Sequence, residues 1–205
     1  PGADYLPAIA PEVGSNAFAA TAHHASVTNL TWSTPVGNGS ARSFSSTAWK
    51  TGDYFQFQVS TTGDSNIRVS YDQVSSNSGP NGFKLAYSTD GLNFTDFNTP
   101  YTVNPNNTNF NGNHYAWTSS SQNSLDSYSF DLSAISSLDN ASTVYFRVID
   151  EATAQASNAT KTTVSSLGSD SLDNFEVQGT PVPEPATAGL LGLGAGAVLV
   201  RRRRR

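Results

Sequence analysis

Three groups of residues in this 205-residue chain have the types and spacing to do chemistry. The first is Pro183-Glu184-Pro185, followed by an uncharged Gly/Ala/Leu/Val run over 186–200 and then by Arg201, Arg202, Arg203, Arg204 and Arg205. The run can enter a bilayer, and the five guanidinium groups cannot follow it across without a heavy desolvation cost. The arginines therefore stay on the cytoplasmic side and the rest of the chain lies on the other. The run is only 15 residues long and contains four glycines, whereas a stable spanning helix needs roughly 20 residues. The pattern predicts a short transmembrane helix that holds the protein transiently at the inner membrane.

The second group is Tyr115 and Trp117 beside Asn113, in a long polar loop. Flat aromatic faces stack on the apolar C–H surface of sugar rings, and amides supply hydrogen bonds to hydroxyls. The competing use of Trp117 is loop anchoring, because large aromatics are usually buried. The third group is Asp173-Asn174 on the last strand-like segment, where a carboxylate and nearby carbonyls offer the hard oxygen ligands of a structural Ca²⁺. A turn-capping or solvated Asp is the alternative there.

Other chemistries find little support. His23, His24 and His114 are the only histidines. Neighbours on a strand point to opposite faces, so the His23-His24 pair does not grip one ion. There is no G-x-S-x-G around a serine, and the available Ser, His and Asp residues do not by themselves mark a nucleophile. Asp150-Glu151 is the densest acidic pair, and as neighbours at a strand end they suit a solvated loop better than glycoside hydrolysis. Cysteine is absent, which removes disulfides and thiolate chemistry. Gly192 to Gly196 lack the Lys and Ser/Thr of a phosphate loop. Five of the eleven basic residues are the terminal arginines, which leaves six against sixteen acidic residues and a formal charge of −10. No basic patch for nucleic acid remains. These observations predict a non-catalytic protein without a certain cofactor.

The elements that must position these groups are strands. Phe55, Phe57 and Val59 alternate with Gln56 and Gln58; Ile67, Val69 and Tyr71 alternate with Arg68 and Ser70. Phe83/Leu85/Tyr87, Tyr128/Phe130/Leu132, Val144/Phe146/Val148 and Phe175/Val177 repeat the pattern. Period two with one apolar face means half-buried strands. Gly63-Asp64, Ser78-Gly79-Pro80 and Asp90-Gly91 are turns, the last a tight hairpin. Short strands at regular spacing predict an all-β sandwich, and the long Asn/Ser/Gly loops favour a jelly-roll-like order. The reading divides the chain into a loose segment 1–25, a sandwich 26–179, a stiff linker with the Pro-Glu-Pro motif 180–185, and the helix and arginine cluster 186–205. Position 1 is not Met, and with the exported orientation this leads us to expect a removed signal peptide.

The order of Pro183-Glu184-Pro185, apolar run and arginine cluster resembles the PEP-CTERM sorting signal of Gram-negative bacteria. The resemblance implies recognition by exosortase, a membrane cysteine peptidase, and delivery to the cell surface or extracellular matrix of exopolysaccharide-making, biofilm-forming cells. Between residues 40 and 178, the phrases Trp49-Lys50-Thr51-Gly52-Asp53-Tyr54, Phe83-Lys84-Leu85-Ala86-Tyr87-Ser88 and Asp173-Asn174-Phe175-Glu176-Val177 resemble a jelly-roll module similar in outline to carbohydrate-binding modules. That resemblance implies exopolysaccharide as a ligand. A structural surface protein without a ligand, and an extracellular polysaccharide hydrolase, are the alternatives.

Overall fold

The computed structural model describes residues 3–5, 18–25, 28–106, 116–152, 154–157 and 161–183. They form two antiparallel sheets packed face to face, the all-β sandwich that the alternation predicts. The strands are β1 (Ala3–Tyr5), β2 (Phe18–His24), β3 (Trp32–Ser33), β4 (Phe44–Thr47), β5 (Tyr54–Val59) and β6 (Asp64–Ser75). They continue with β7 (Gly82–Ser88), β8 (Thr95–Asp96), β9 (Tyr101–Thr102), β10 (Ser127–Asp131), β11 (Val144–Asp150) and β12 (Ser169–Pro181). The larger sheet has seven strands in the order β1-β2-β5-β11-β7-β8, with β9 also on β7; the smaller has five in the order β10-β6-β12-β4-β3. Short 3-10 turns occupy Ser124–Asp126 and Ser136–Leu138.

Period two places Phe55, Phe57 and Val59 of β5, Val144, Phe146 and Val148 of β11, and Phe83 and Leu85 of β7 on the inner face of the larger sheet. They meet Phe44, Ile67, Val69, Tyr71 and Leu172 from the smaller sheet. Phe57 and Phe175 stack across the gap with centroids 3.6 Å apart. Burying each such side chain is worth about 1.5–3 kcal/mol. Trp49 is core, as its position before β5 suggests, and its indole N–H donates to the Ser46 carbonyl at 2.9 Å.

Three boundaries differ from the sequence reading. The sandwich starts before residue 26: β1 and β2 lie within 1–25, and β2 pairs with β5 from Phe18↔Val59 to His23↔Tyr54. Among its described side chains the buried apolar ones are Ala20 and Ala22, too small to stand out as an apolar stripe. At the other end β12 runs on to Pro181, through what read as a linker, because its partner β6 begins at Asp64. The Asp90-Gly91 hairpin is wider than a two-residue turn, since β8 begins at Thr95 and pairs Tyr87↔Thr95. The Asp90 carboxylate fills the loop by accepting from the backbone N–H groups of Leu92 and Asn93, each at 2.8 Å. Among the described residues no helix is long and apolar enough to cross a membrane. The expected helix over 186–200 lies outside the described residues.

Candidate functional site

The sorting motif leaves the sandwich without a spacer. β12 ends at Pro181↔Asp64, and the Val182 N–H then donates to the Gly63 carbonyl at 2.7 Å. Pro183 follows and is exposed. Proline suits this place because it contributes no N–H to a ladder that is ending. Glu184, Pro185 and Arg201 to Arg205 lie outside the described residues. Pro183, the first residue of the motif, therefore lies at the pole formed by the β5–β6 turn.

The outer face of the larger sheet collects long polar and aromatic side chains in register. One row across the strands is Thr21, Gln56, Arg147, Ala86 and Asp96; the next is His23, Tyr54, Ile149 and Lys84. Gln58, Tyr145 and Ser88 form a third. The Arg147 guanidinium lies 3.8 Å from the Tyr54 ring centroid and 3.6 Å from that of Phe94. Its Nε donates to Gln56 Oε1 at 2.8 Å. His23 stacks on Tyr54 with centroids 5.3 Å apart. Lys84 bridges Glu151 at 2.7 Å and Asp96 at 2.9 Å, and these two hydrogen bonds raise its pKa above the ordinary lysine value. The arrangement is a half-exposed shelf of rings, amides and one stacked cation. No sequence motif marks it; the parity of Tyr54, Gln56 and Gln58 on β5 is the signal that points to it.

Asp173 sits on the outer face of the smaller sheet, at a bulge where Asn174 takes φ +48. Asparagine tolerates this left-handed conformation better than most residues. Asp173 Oδ2 accepts from the Asn38 N–H at 2.7 Å and Ser40 Oγ at 2.8 Å. Burial raises its pKa, with these donors opposing the rise. Beside it Asp72, 2% exposed, accepts from Gln122 Nε2 at 2.8 Å, Asn174 Nδ2 at 2.7 Å and Ser127 Oγ. N–H and O–H donors thus meet Asp173 Oδ2 and both oxygens of Asp72. Among the described residues no three His, Cys, Asp or Glu side chains gather. The arrangement is a hydrogen-bonded clamp between the loop at 37–40 and the sheet.

Trp117 is 4% exposed, with its indole N–H on Asp126 Oδ2 at 2.8 Å, the placement of a loop anchor. Tyr115 and Asn113 lie outside the described residues. The structure also assembles a line that the sequence did not reveal: Ser46 Oγ is 2.9 Å from His24 Nε2, and His24 Nδ1 is 3.3 Å from Asp53 Oδ2. Asp53 is held by the N–H groups of Ala25 at 2.6 Å and Lys50 at 2.7 Å. Burial lowers the His24 pKa, with Asp53 opposing. The order is nucleophile, base and orienter, but Ser46 and His24 are 0% exposed and Asp53 1%. No substrate reaches these atoms, and they act as a polar clamp between β2 and β4. Parity is the signal here too: His24 continues the inward series Ala20, Ala22.

Two grooves, of about 390 and 590 Å³, are lined without a carboxylate. Asp150, which does have a raised pKa of about 7 through burial, is 0% exposed.

Solved structures similar to this one include the bacteriophage CBA120 tailspike protein 4 enzymatically active domain, at 8% identity and a TM-score of 0.42, covering 80% of this chain and 19% of that one. The K2 cleaved adhesin domain of Lys-gingipain is similar at 17% identity and a TM-score of 0.40, covering 86% and 99%. TmCBM61, solved in complex with β-1,4-galactotriose, is similar at 9% identity and a TM-score of 0.38, covering 80% and 88%. No curated protein matches the chain. The family comparison matches residues 181–205, the span of the Pro-Glu-Pro motif, apolar run and arginines, and on that match this protein carries a PEP-CTERM protein-sorting motif.

Proposed function

We propose that this protein is an exported, non-catalytic surface protein, processed by exosortase at its tail, whose sandwich binds polysaccharide through the outer face of the larger sheet. The sorting motif supports export and processing. The binding reading rests on one observation: His23, Tyr54, Phe94, Tyr145, Arg147 and Gln56 share one half-exposed sheet face. Rings offer stacking surface, and the amide and guanidinium groups offer hydrogen bonds to hydroxyls. The sandwich itself is a jelly roll in this reading. Its support is that the chain changes sheet at each step from β4 to β7 and again from β9 to β12.

The test is binding of the full-length protein, in mild detergent, to polysaccharide from exopolysaccharide-forming bacteria. Tyr54→Ala should weaken binding at least about tenfold, the effect of losing one aromatic contact of roughly 1.4 kcal/mol. Equal binding with calcium and with EDTA is expected from the donor set around Asp173. An absence of binding would transfer the function to a structural surface protein without a ligand. For the tail, Glu184→Ala should leave the protein in the membrane fraction; normal surface release of that variant would remove exosortase from the account.

A further inference from the structure

We infer that the polysaccharide held on the outer face of the larger sheet bears carboxylates, and that Arg147 is the residue that selects them; this rests on reading that face as a glycan site. The cations of this chain are otherwise paired where they sit on sheets: Arg68 with Asp131 at 2.6 Å, and Lys84 with both Glu151 and Asp96. Arg147 has no carboxylate partner among the described residues, although the chain carries sixteen acidic side chains. The Tyr54 and Phe94 ring centroids lie 3.8 and 3.6 Å from its Cζ, and Gln56 takes Nε. That leaves the in-plane N–H groups on the terminal nitrogens as the unused part of the fork among the described residues.

A guanidinium fixed in this way matches one kind of ligand group well. A carboxylate lies in the guanidinium plane and accepts two parallel N–H bonds, whereas a neutral hydroxyl takes only one. Stacking between Tyr54 and Phe94 holds the plane of the fork before the ligand arrives, so little side-chain freedom is lost on binding. Ile149 and Tyr145 flank Arg147 along β11 on the same face, where they can receive the apolar edge of the sugar ring. The rest of the molecule would turn such a polymer away, since the sequence before the arginine cluster carries a formal charge of −10. On the sandwich, repulsion therefore works against a uronate chain away from this face, where Arg147 presents a stacked cation with no carboxylate partner among the described residues.

The experiment compares polygalacturonate with its methyl-esterified form, which keeps the sugar backbone and removes the charge, using alginate and hyaluronan as further anionic probes. The full-length protein should bind polygalacturonate about tenfold or more tightly than the ester, the worth of a charge-assisted pair. Arg147→Gln should bring the two affinities together, and Arg147→Lys, which keeps charge without the planar fork, should fall between. The comparison is repeated with Arg201 to Arg205 replaced by Ser: a preference held by Arg147 persists, and a preference that disappears there belongs to the terminal arginines and overturns the inference. Equal affinity for both forms, with Tyr54→Ala weakening each, would overturn the carboxylate inference and leave the glycan site standing. Failure of all the anionic probes and of the ester to bind would overturn both.

Discussion

The two sheets of this sandwich obey the same alternation and treat their outer faces in opposite ways. On the larger sheet Tyr54, Gln56, Arg147, Lys84 and Tyr145 are long outward residues that remain half-exposed, and Arg147 reaches both Tyr54 and Gln56 across the strands. On the smaller sheet those around the β12 bulge are short, namely Ser45, Ser70, Asp72, Ser171 and Asp173, and the long outward residues Arg68, Glu176 and Gln178 lie toward its other end. The chain's own loop at 37–40 comes down and donates to Asp173, while Gln122, Asn174 and Ser127 donate to Asp72. A polar outward position thus has two uses. Short acceptors hold a loop against a sheet, and long amphipathic side chains make a surface that the chain leaves uncovered. The first use contributes to stability and the second to recognition.

Removing a group from the covered face should therefore cost far more stability than removing one from the open face. Asp72→Ala strands the Gln122, Asn174 and Ser127 donors and should lower unfolding free energy by about 3 kcal/mol or more. Arg147→Ala, which loses a half-exposed cation–π contact, should cost only about 1 kcal/mol. Urea unfolding of both variants measures the gap, and equal losses would break the distinction between the faces. Gly37→Ala gives an intermediate test. A Cβ there would lie 2.2 Å from Asp173 Oδ2, so the loop must lift from the sheet. The expected loss is about 1–3 kcal/mol, with no change in glycan binding on the opposite face.

The division between the faces also explains what could be read from the sequence. The sandwich was legible because Phe55/Phe57/Val59 and their counterparts repeat with period two, and such repetition has one physical cause. The tail was legible because its three parts are contiguous. The Asp72–Asp173 clamp was not, because Asn38 and Asp173 are 135 positions apart and the loop between Trp32 and Phe44 has no periodic signal. Asp173 alone suggested an ion; only its neighbours' N–H and O–H groups show how the carboxylate is satisfied. The Tyr54–Arg147–Phe94 stack joins three separate segments and depends on strand order, which a single sequence does not specify. Trp117 illustrates the same limit, since an aromatic in a polar loop looks like a platform until Asp126 is seen to bind its N–H.

The finest test of the contrast is titration. Burial under the loop lifts the Asp173 pKa above the usual 3.8, and the charge on Asp72 adds to the rise. A folded carboxyl with a raised pKa keeps a proton that the unfolded chain gives up. Its contribution to stability is full below the ordinary carboxylate range and is lost as pH rises through the folded value. Asp173→Asn keeps an oxygen for the Asn38 and Ser40 donors and removes the titration. The stability of this variant relative to the parent should climb as pH increases from about 4. Asp150 and Asp170, whose pKa values are also raised by burial, titrate in both proteins and largely cancel from that difference. Arg147→Gln on the open face should show a flat difference over the same range, because no carboxylate contributes to the Arg147 shift. Thermal unfolding of the three proteins at a series of pH values measures both slopes. A flat profile for Asp173→Asn would mean that the loop does not seal that carboxyl from water, and the two outer faces would then differ in side-chain length alone.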